Sequence, residues 1–216
     1  MITGIIQFLD RVGAGTCQGM SLSEYRRKRR SGRSQEQRGR QQRRRGAGRS
    51  GKSDPGPRFV IHHHAARSDH YDFRLEIDGV LVSWAIPKGP STNPEDRRMA
   101  RRTEDNHPLE YAEFEGVIPD GEHGAGSVIV WDHGTYANRT EHEMTRCLGR
   151  GHLAFYLHGE KLHGGYALTR IREGKDETWL LLKRRDEEAS DNSAEHNPVR
   201  TQPESVLSGR TLDELS

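Results

Sequence analysis

Alternating apolar and polar residues predict β-strands through the middle of the chain. Residues 71–77 alternate strictly, with four apolar side chains on one face and polar side chains on the other, because successive side chains of a strand point to opposite sides. Asp78 and Gly79 form a preferred two-residue hairpin turn, and residues 80–86 continue as the partner strand. Further strands are predicted at residues 127–131, 152–157, 166–171 and 178–183.

Short strands separated by glycine-rich turns are typical of an antiparallel barrel or sandwich. The chain is therefore predicted to be mainly β, with a compact antiparallel β-barrel over residues 58–185. Helical signals are few, and we expect only short flanking helices. One is predicted near residues 93–100, with Pro94 in its first turn, and another near residues 141–148.

Charge is distributed unevenly along the chain. Residues 1–58 contain 15 Lys and Arg against 4 Asp and Glu, whereas the remaining residues contain 19 against 28. Residues 26–52 are almost wholly Arg, Gly, Gln and Ser, so residues 1–57 are predicted to be a disordered basic N-terminal arm. Such an arm is common in proteins that bind nucleic acid, although a solvated tail without a partner has the same composition.

The C-terminal end has the opposite charge. Residues 186–216 contain 8 acidic and 2 basic residues with little periodicity. This segment is predicted to be a disordered acidic tail, with one short helix near residues 208–215.

Several classes of protein do not fit the sequence. No window approaches eighteen uninterrupted apolar residues, which argues against a transmembrane helix. The first nine residues lack the basic region and cleavage site of a signal peptide. Cys17 and Cys147 are far apart in unlike contexts, so we expect no disulfide framework and a cytoplasmic, reducing location.

The polar face of the first predicted hairpin carries candidate metal ligands. His70 and Asp72 are two residues apart on one strand face, and His64 can return to the same place across a short loop. Two imidazoles and one carboxylate suit Mn, Fe or Zn with coordination positions left open. A solvated polar face with surface histidines is the alternative, and the neighbouring His62 and His63 weaken the signal.

Cationic residues follow the candidate metal ligands. Arg74 shares their strand face, Lys88 ends the partner strand, Arg97 and Arg98 begin the next segment, and His107 supplies a further imidazole. Guanidinium groups pair bidentately with phosphate oxygens. A metal ion surrounded by such residues indicates a substrate that carries phosphate.

Several blocks of sequence resemble one known family. In order they are His64-x5-His70-Tyr-Asp72-Phe-Arg74-Leu-Glu76, Ser83-Trp-Ala-Ile-Pro-Lys-Gly-Pro90, Glu104-Asp-Asn-His107-Pro-Leu-Glu-Tyr111, Phe114-Glu-Gly-Val-Ile-Pro119 and Gly124-Ala-Gly126. Together they resemble the 3′-phosphoesterase domain of bacterial DNA ligase D and its stand-alone bacterial and archaeal relatives. The resemblance covers about residues 58–185, and residues 22–29 look like the family's lead-in. Met20 is therefore an alternative start, and a stand-alone enzyme is expected.

The resemblance implies a Mn²⁺-dependent enzyme that processes DNA 3′ ends, with other divalent transition metals as alternatives. Such enzymes remove a terminal 3′ ribonucleoside and then the 3′-phosphate, leaving 3′-OH ends for strand-break repair by non-homologous end joining. By motif, the implied metal ligands are His64, His70 and Asp72. The implied catalytic residues are Arg74, Lys88, Arg98, Glu104, His107 and Tyr111. Arg97 is an alternative to Arg98, and Asn106 is an insertion into the family's usual Glu-Asp-His-Pro.

The partners implied by the resemblance are DNA or RNA–DNA 3′ ends on a primer-template, bound by a monomer. Ku, a separate ATP-dependent DNA ligase and a polymerase are further candidates. Two other interpretations use the same residues. One is an Fe(II) oxygenase, because two histidines and one aspartate form its facial triad. The other is a non-catalytic DNA-binding module that relies on the basic arm.

Overall fold

The computed structural model describes residues 56–103, 106–122, 124–175, 177–191 and 197–215. Strands form most of this part of the chain. They are β1 (Arg58–Ala65), β2 (Asp69–Ile77), β3 (Val80–Ile86), β4 (Arg98–Arg102), β5 (Gly116–Ile118), β6 (Gly126–Asn138), β7 (His152–Gly159), β8 (His163–Arg172) and β9 (Thr178–Lys183). The short helices are α1 (Met144–Arg150) and α2 (Pro198–Thr201), with 3-10 turns at Leu109–Glu113 and Asp213–Leu215.

The strands form one antiparallel sheet that closes into a barrel. Neighbouring strands follow the order β1-β2-β3-β4-β9-β8-β7-β6, and β6 pairs again with β1 to close eight strands. The 13-residue β6 makes this closure because it pairs with β1 along most of its length and with β7 at its end. The short β5 pairs with β6 outside this ring. The antiparallel barrel predicted from the sequence is confirmed.

Two apolar clusters lie on opposite sides of the barrel wall. The interior cluster includes three fully buried tryptophans, Trp84, Trp131 and Trp179. A smaller cluster lies on the outer face, because its member Val60 alternates along β1 with interior residues Phe59 and Ile61. The segment from the first 3-10 turn to β5 covers this outer cluster and forms a second layer over part of the barrel.

The helix predicted near residues 93–100 is replaced by a turn followed by β4. Asn93 begins the turn, since its side chain accepts a hydrogen bond from the Glu95 N–H at 2.9 Å. Asx turns of this kind compete with helix formation. Residues Arg98–Arg102 then pair with β3 and β9, and Ala100 faces the interior. Barrel closure requires a strand at this position, which local sequence does not indicate.

The helix predicted near residues 141–148 is present as α1. Its buried residues Met144 and Cys147 join the interior cluster. Gly151 ends the helix in the left-handed region, with φ of 78°, as is common at helix C-termini. Within the part of the chain described above, no helix has the length and apolar character to cross a membrane.

Residues 197–215 pack against the barrel, in contrast to the disordered tail expected from their charge. The Trp131 indole N–H donates to the Gln202 carbonyl at 2.8 Å, and the Val206 N–H donates to the Val130 carbonyl at 3.0 Å. These contacts use backbone groups, so composition does not reveal them. The predicted basic arm lies almost wholly outside the described residues.

Replacing Leu212 with alanine should lower the free energy of unfolding by about 2 kcal/mol, because its side chain is buried. The matched change is Leu207→Ala, since Leu207 is 41% exposed on the same segment. We expect this control to cost less than half as much. Urea unfolding followed by tryptophan fluorescence measures both. Equal and negligible effects would show that the segment does not contribute to the folded domain.

Candidate metal and phosphate site

The candidate site lies on the outer face of strands β1, β2 and β3, beside the outer apolar cluster. Strand register pairs His64 with His70, and it pairs Arg74 with Ser83 on β3. Asp72 lies between His70 and Arg74 on β2. Alternate residues of a strand share one face, so the three β2 side chains project together away from the interior.

The three predicted metal ligands converge in this structure. His64 Nδ1 is 3.6 Å from Asp72 Oδ2, and His70 Nε2 is 3.5 Å from Asp72 Oδ1. One ligand atom from each residue lies within 4.8 Å of the others. This donor set of two imidazoles and one carboxylate matches sites for divalent transition metals that keep open coordination positions.

Hydrogen bonds to backbone carbonyls orient both histidine rings. His64 Nε2 donates to the Gly124 carbonyl at 3.0 Å, and His70 Nδ1 donates to the Ser68 carbonyl at 2.8 Å. Carbonyl oxygens only accept, so these contacts place each ring proton on the nitrogen that faces away from Asp72. Metal-binding histidines are commonly oriented in this way. The residues present therefore fit a metal ion.

The charge of Asp72 is strongly stabilised. Burial of the carboxyl opposes its ionisation, but the Arg74 guanidinium, together with the neighbouring His64 and His70 imidazoles, holds the pKa of Asp72 well below its usual range. For His70, burial again opposes the charged form, but Asp72 and the Ser68 carbonyl outweigh it and raise the His70 pKa. The trio of His64, His70 and Asp72 thus has an anionic centre, as a cation site requires.

Arg74 links the trio to a second group of polar residues. It is buried, and four of its five N–H donors are used by protein side chains. Its Nη2 donates to Asp72 Oδ2 at 2.8 Å, and its Nη1 donates to Ser83 Oγ at 2.7 Å and His107 Nδ1 at 3.0 Å. Its Nε donates to His62 Nδ1 at 3.1 Å.

The three neighbouring histidines of β1 have different environments. His62 is fully buried, and burial together with the Arg74 charge lowers the pKa of His62 well below its usual range. His62 is therefore neutral, which agrees with its Nδ1 acting as an acceptor. His63 stacks on the Tyr71 ring at 4.2 Å and contacts Asp69 Oδ1 at 2.8 Å. His64 is the member of this run that joins the trio.

His107 and Tyr111 bring the overlying layer into the site. Their rings stack with centroids 4.5 Å apart, and the Arg74 guanidinium lies 4.9 Å from the centre of the Tyr111 ring. Backbone hydrogen bonds between His107 and Leu81 attach this segment to β3. Because Arg74 donates to His107 Nδ1, a neutral His107 carries its proton on Nε2.

The remaining predicted residues are less closely joined to this cluster. Lys88 is exposed just beyond the end of β3. Arg98 is half-buried at the start of β4, and its Nη2 donates to Asp96 Oδ2 at 2.8 Å. Its neighbour Arg97 is exposed. Glu104 lies outside the described residues.

Sequence reasoning missed two partners of Arg74, His62 and Ser83. The signal for Ser83 was present, because the Asp78–Gly79 turn fixes the hairpin register and places Ser83 opposite Arg74. The His62 contact depends on the pairing of β1 with β2, whose connecting loop has no such turn signature.

Similarity to known proteins covers this site. The family model for the DNA Ligase D 3′-phosphoesterase domain matches residues 62–170. The multifunctional non-homologous end joining protein LigD of Pseudomonas aeruginosa is 47% identical over 156 residues, which is 72% of this chain and 18% of that protein. The multifunctional non-homologous end joining DNA repair protein LigD of Mycobacterium tuberculosis is 51% identical over 125 residues, 58% of this chain and 16% of that protein. The chain thus spans less than a fifth of either relative.

Proposed function

Because the chain belongs to the DNA ligase D 3′-phosphoesterase family, we propose that it is a Mn²⁺-dependent enzyme that processes DNA 3′ ends. It would remove a terminal 3′ ribonucleoside as a phosphodiesterase and the resulting 3′-phosphate as a phosphomonoesterase. The observation that carries this proposal is the joining of the His64–His70–Asp72 trio to Arg74 and His107 by direct hydrogen bonds.

The trio is the proposed metal site. A bound divalent ion supplies positive charge that withdraws electron density from a phosphoryl oxygen. Asp72 contributes the negative charge that attracts the ion, and the Gly124 and Ser68 carbonyls hold the two imidazoles in the required orientation. Two imidazoles and one carboxylate suit Mn, Fe or Zn with coordination positions left open. Among these ions Mn²⁺ is proposed because the family resemblance implies it.

Arg74 and His107 form the proposed phosphate side of the site. Arg74 supplies a permanent positive charge next to the trio, which stabilises negative charge that develops on phosphoryl oxygens. Its hydrogen bonds also fix the position of His107, whose Nε2 would donate to the phosphate or assist the leaving group. Tyr111 supports both groups by stacking. Lys88, Arg98 and Glu104 are proposed to complete the site when DNA is bound.

The proposed substrates are 3′ ends of DNA or RNA–DNA in a primer-template. The names of both relatives place them in non-homologous end joining, so we propose that this chain acts in the same repair process. Ku, an ATP-dependent DNA ligase and a polymerase would then act on the same breaks. The monomer is the proposed functional unit.

The function is tested with two primer-templates, one ending in a 3′-phosphate and one in a 3′ ribonucleotide. We expect Mn²⁺-dependent conversion of both to a 3′-OH end, with the ribonucleotide substrate passing through a 3′-phosphate. Turnover that needs Fe(II) and 2-oxoglutarate would instead support the oxygenase interpretation. Binding of both substrates without conversion in any divalent metal would support the non-catalytic module.

Deleting residues 1–52 should weaken DNA binding at low salt and leave turnover at saturating substrate almost unchanged. The arm is proposed to act by releasing counterions from DNA, because it is rich in arginine. Each phosphate that it neutralises steepens the dependence of log K on log salt by about 0.9 on duplex DNA. Fluorescence anisotropy at several salt concentrations measures that slope. Loss of turnover with binding preserved would place part of the arm in the active site.

A further inference from the structure

The outer face of the barrel presents a row of side chains that leads away from the trio. Strand register aligns Asp72 on β2 with Ala85 on β3, Ala85 with Arg101 on β4, and Arg101 with Thr178 on β9. Thr178 pairs in turn with Arg172 on β8. Residues aligned across neighbouring strands share a face, so this row continues the site face across five strands.

The two arginines of this row are exposed, unlike the arginines beside them. Arg102 and Arg170 are partly buried and pair with the carboxylate of Glu177 at 3.1 and 2.8 Å. Arg101 and Arg172 instead project from the outer face. Along β8, Arg172 reaches this face because the pairing with β9 shifts register between Arg170 and Arg172. The irregularity thus turns a second arginine toward the surface that holds Arg101.

Exposed apolar side chains lie close to both arginines along β4 and β8. Met99 is 58% exposed on β4 and pairs with Leu180 on β9, which in turn pairs with Thr169 on β8. Ile171, at the register shift in β8, is 56% exposed. Exposed cationic groups on one face provide the charge that tracks a nucleic-acid backbone, and the apolar side chains beside them offer van der Waals contact to its sugars.

We propose that this row, from Ala85 through Arg101 and Thr178 to Arg172, binds the backbone of the nucleic-acid strand whose 3′ end lies at the trio. This proposal rests on the proposed function, because it uses the trio to place the end of the strand. Neighbouring strands are about 4.8 Å apart, so Asp72 and Arg101 are separated by about 10 Å, and Arg101 and Arg172 by a similar distance. Ala85, which lies between Asp72 and Arg101 in the row, has a small side chain. The row would position substrate without contacting the reacting phosphate.

The test uses the full chain and a fluorescein-labelled primer-template with a 3′-phosphate. Arg101→Ala and Arg172→Ala are each expected to make the dependence of log K on log salt shallower by about 0.9, and the double variant by about twice as much. KM should rise while kcat stays within twofold of the wild-type value. The matched control is Arg146→Ala, because Arg146 is exposed on α1 and not on these strands.

Three results would overturn the proposal. The first is an unchanged salt slope in the double variant, and the second is an equal change in Arg146→Ala. The third is a loss of kcat with binding preserved, which would make Arg101 or Arg172 part of the chemistry. Binding is measured without turnover. A wild-type protein that binds the labelled primer-template but hydrolyses neither the 3′-phosphate nor the 3′-ribonucleotide substrate would therefore contradict the proposed function alone.

Discussion

Asp72→Asn should abolish phosphate release and lower Mn²⁺ affinity by at least about 100-fold, which exceeds the usual effect of losing a residue that only orients a ligand. Asp72 is the anionic member of the trio and the hydrogen-bond partner of Arg74. The asparagine side chain keeps the shape and removes the charge. Titration calorimetry with Mn²⁺ and an orthophosphate assay measure the two effects.

His63→Ala is the matched control for the trio. His63 is adjacent to His64, but its ring stacks on Tyr71 and contacts Asp69 instead of Asp72. We expect it to keep Mn²⁺ affinity and turnover within a few-fold of the wild-type protein. A fully active Asp72→Asn variant would contradict the assignment of Asp72 as a metal ligand. An inactive His63→Ala variant beside an active His64→Ala variant would mean that the wrong histidine is assigned to the metal site.

Arg74→Lys should reduce kcat by about 10²–10³-fold while Mn²⁺ affinity changes only a few-fold. Lysine keeps a positive charge near Asp72, so the electrostatic environment of the trio is largely retained. It cannot reproduce the planar arrangement of donors that contacts His62, Ser83 and His107. His107 then loses its fixed position, and the phosphate side of the site is disrupted.

Arg102→Lys controls for the general effect of replacing an arginine on this sheet, because Arg102 pairs with Glu177 away from the trio. It should leave kcat nearly unchanged. Circular dichroism confirms that each variant is folded, since Arg74 is buried. Loss of Mn²⁺ affinity in Arg74→Lys equal to that in Asp72→Asn would contradict the separation of metal and phosphate sides.

The parts of the fold and of the site that can be predicted from the sequence are those marked by patterns among neighbouring residues. The β2–β3 hairpin has strict alternation and an Asp78–Gly79 turn, and both turn residues have positive φ of 56° and 79°. His70 and Asp72 share one strand face by alternation alone. His64 follows because a short connection between antiparallel strands places it opposite His70.

The features that sequence did not predict depend on contacts between distant segments. β4 is rich in arginine and forms a strand because β3 and β9 offer backbone partners on both sides. Residues 197–215 are joined to the barrel by hydrogen bonds to strand positions about 70 residues away along the chain, including those of Gln202 with Trp131 and of Val206 with Val130. The Gly124 carbonyl that orients His64 is 60 residues away along the chain. Neither composition nor periodicity encodes these pairings.

The most direct test of the account is restoration of activity by metal. The protein is stripped with a chelator and dialysed, Mn²⁺ is added stepwise, and orthophosphate release from a 3′-phosphorylated primer-template is followed at each step. We predict no release before addition, a rise that saturates near one Mn²⁺ per protein, and no restoration in Asp72→Asn. Full activity of the stripped protein in the presence of chelator, or equal restoration in Asp72→Asn, would contradict a metal-dependent phosphoesterase centred on His64, His70 and Asp72.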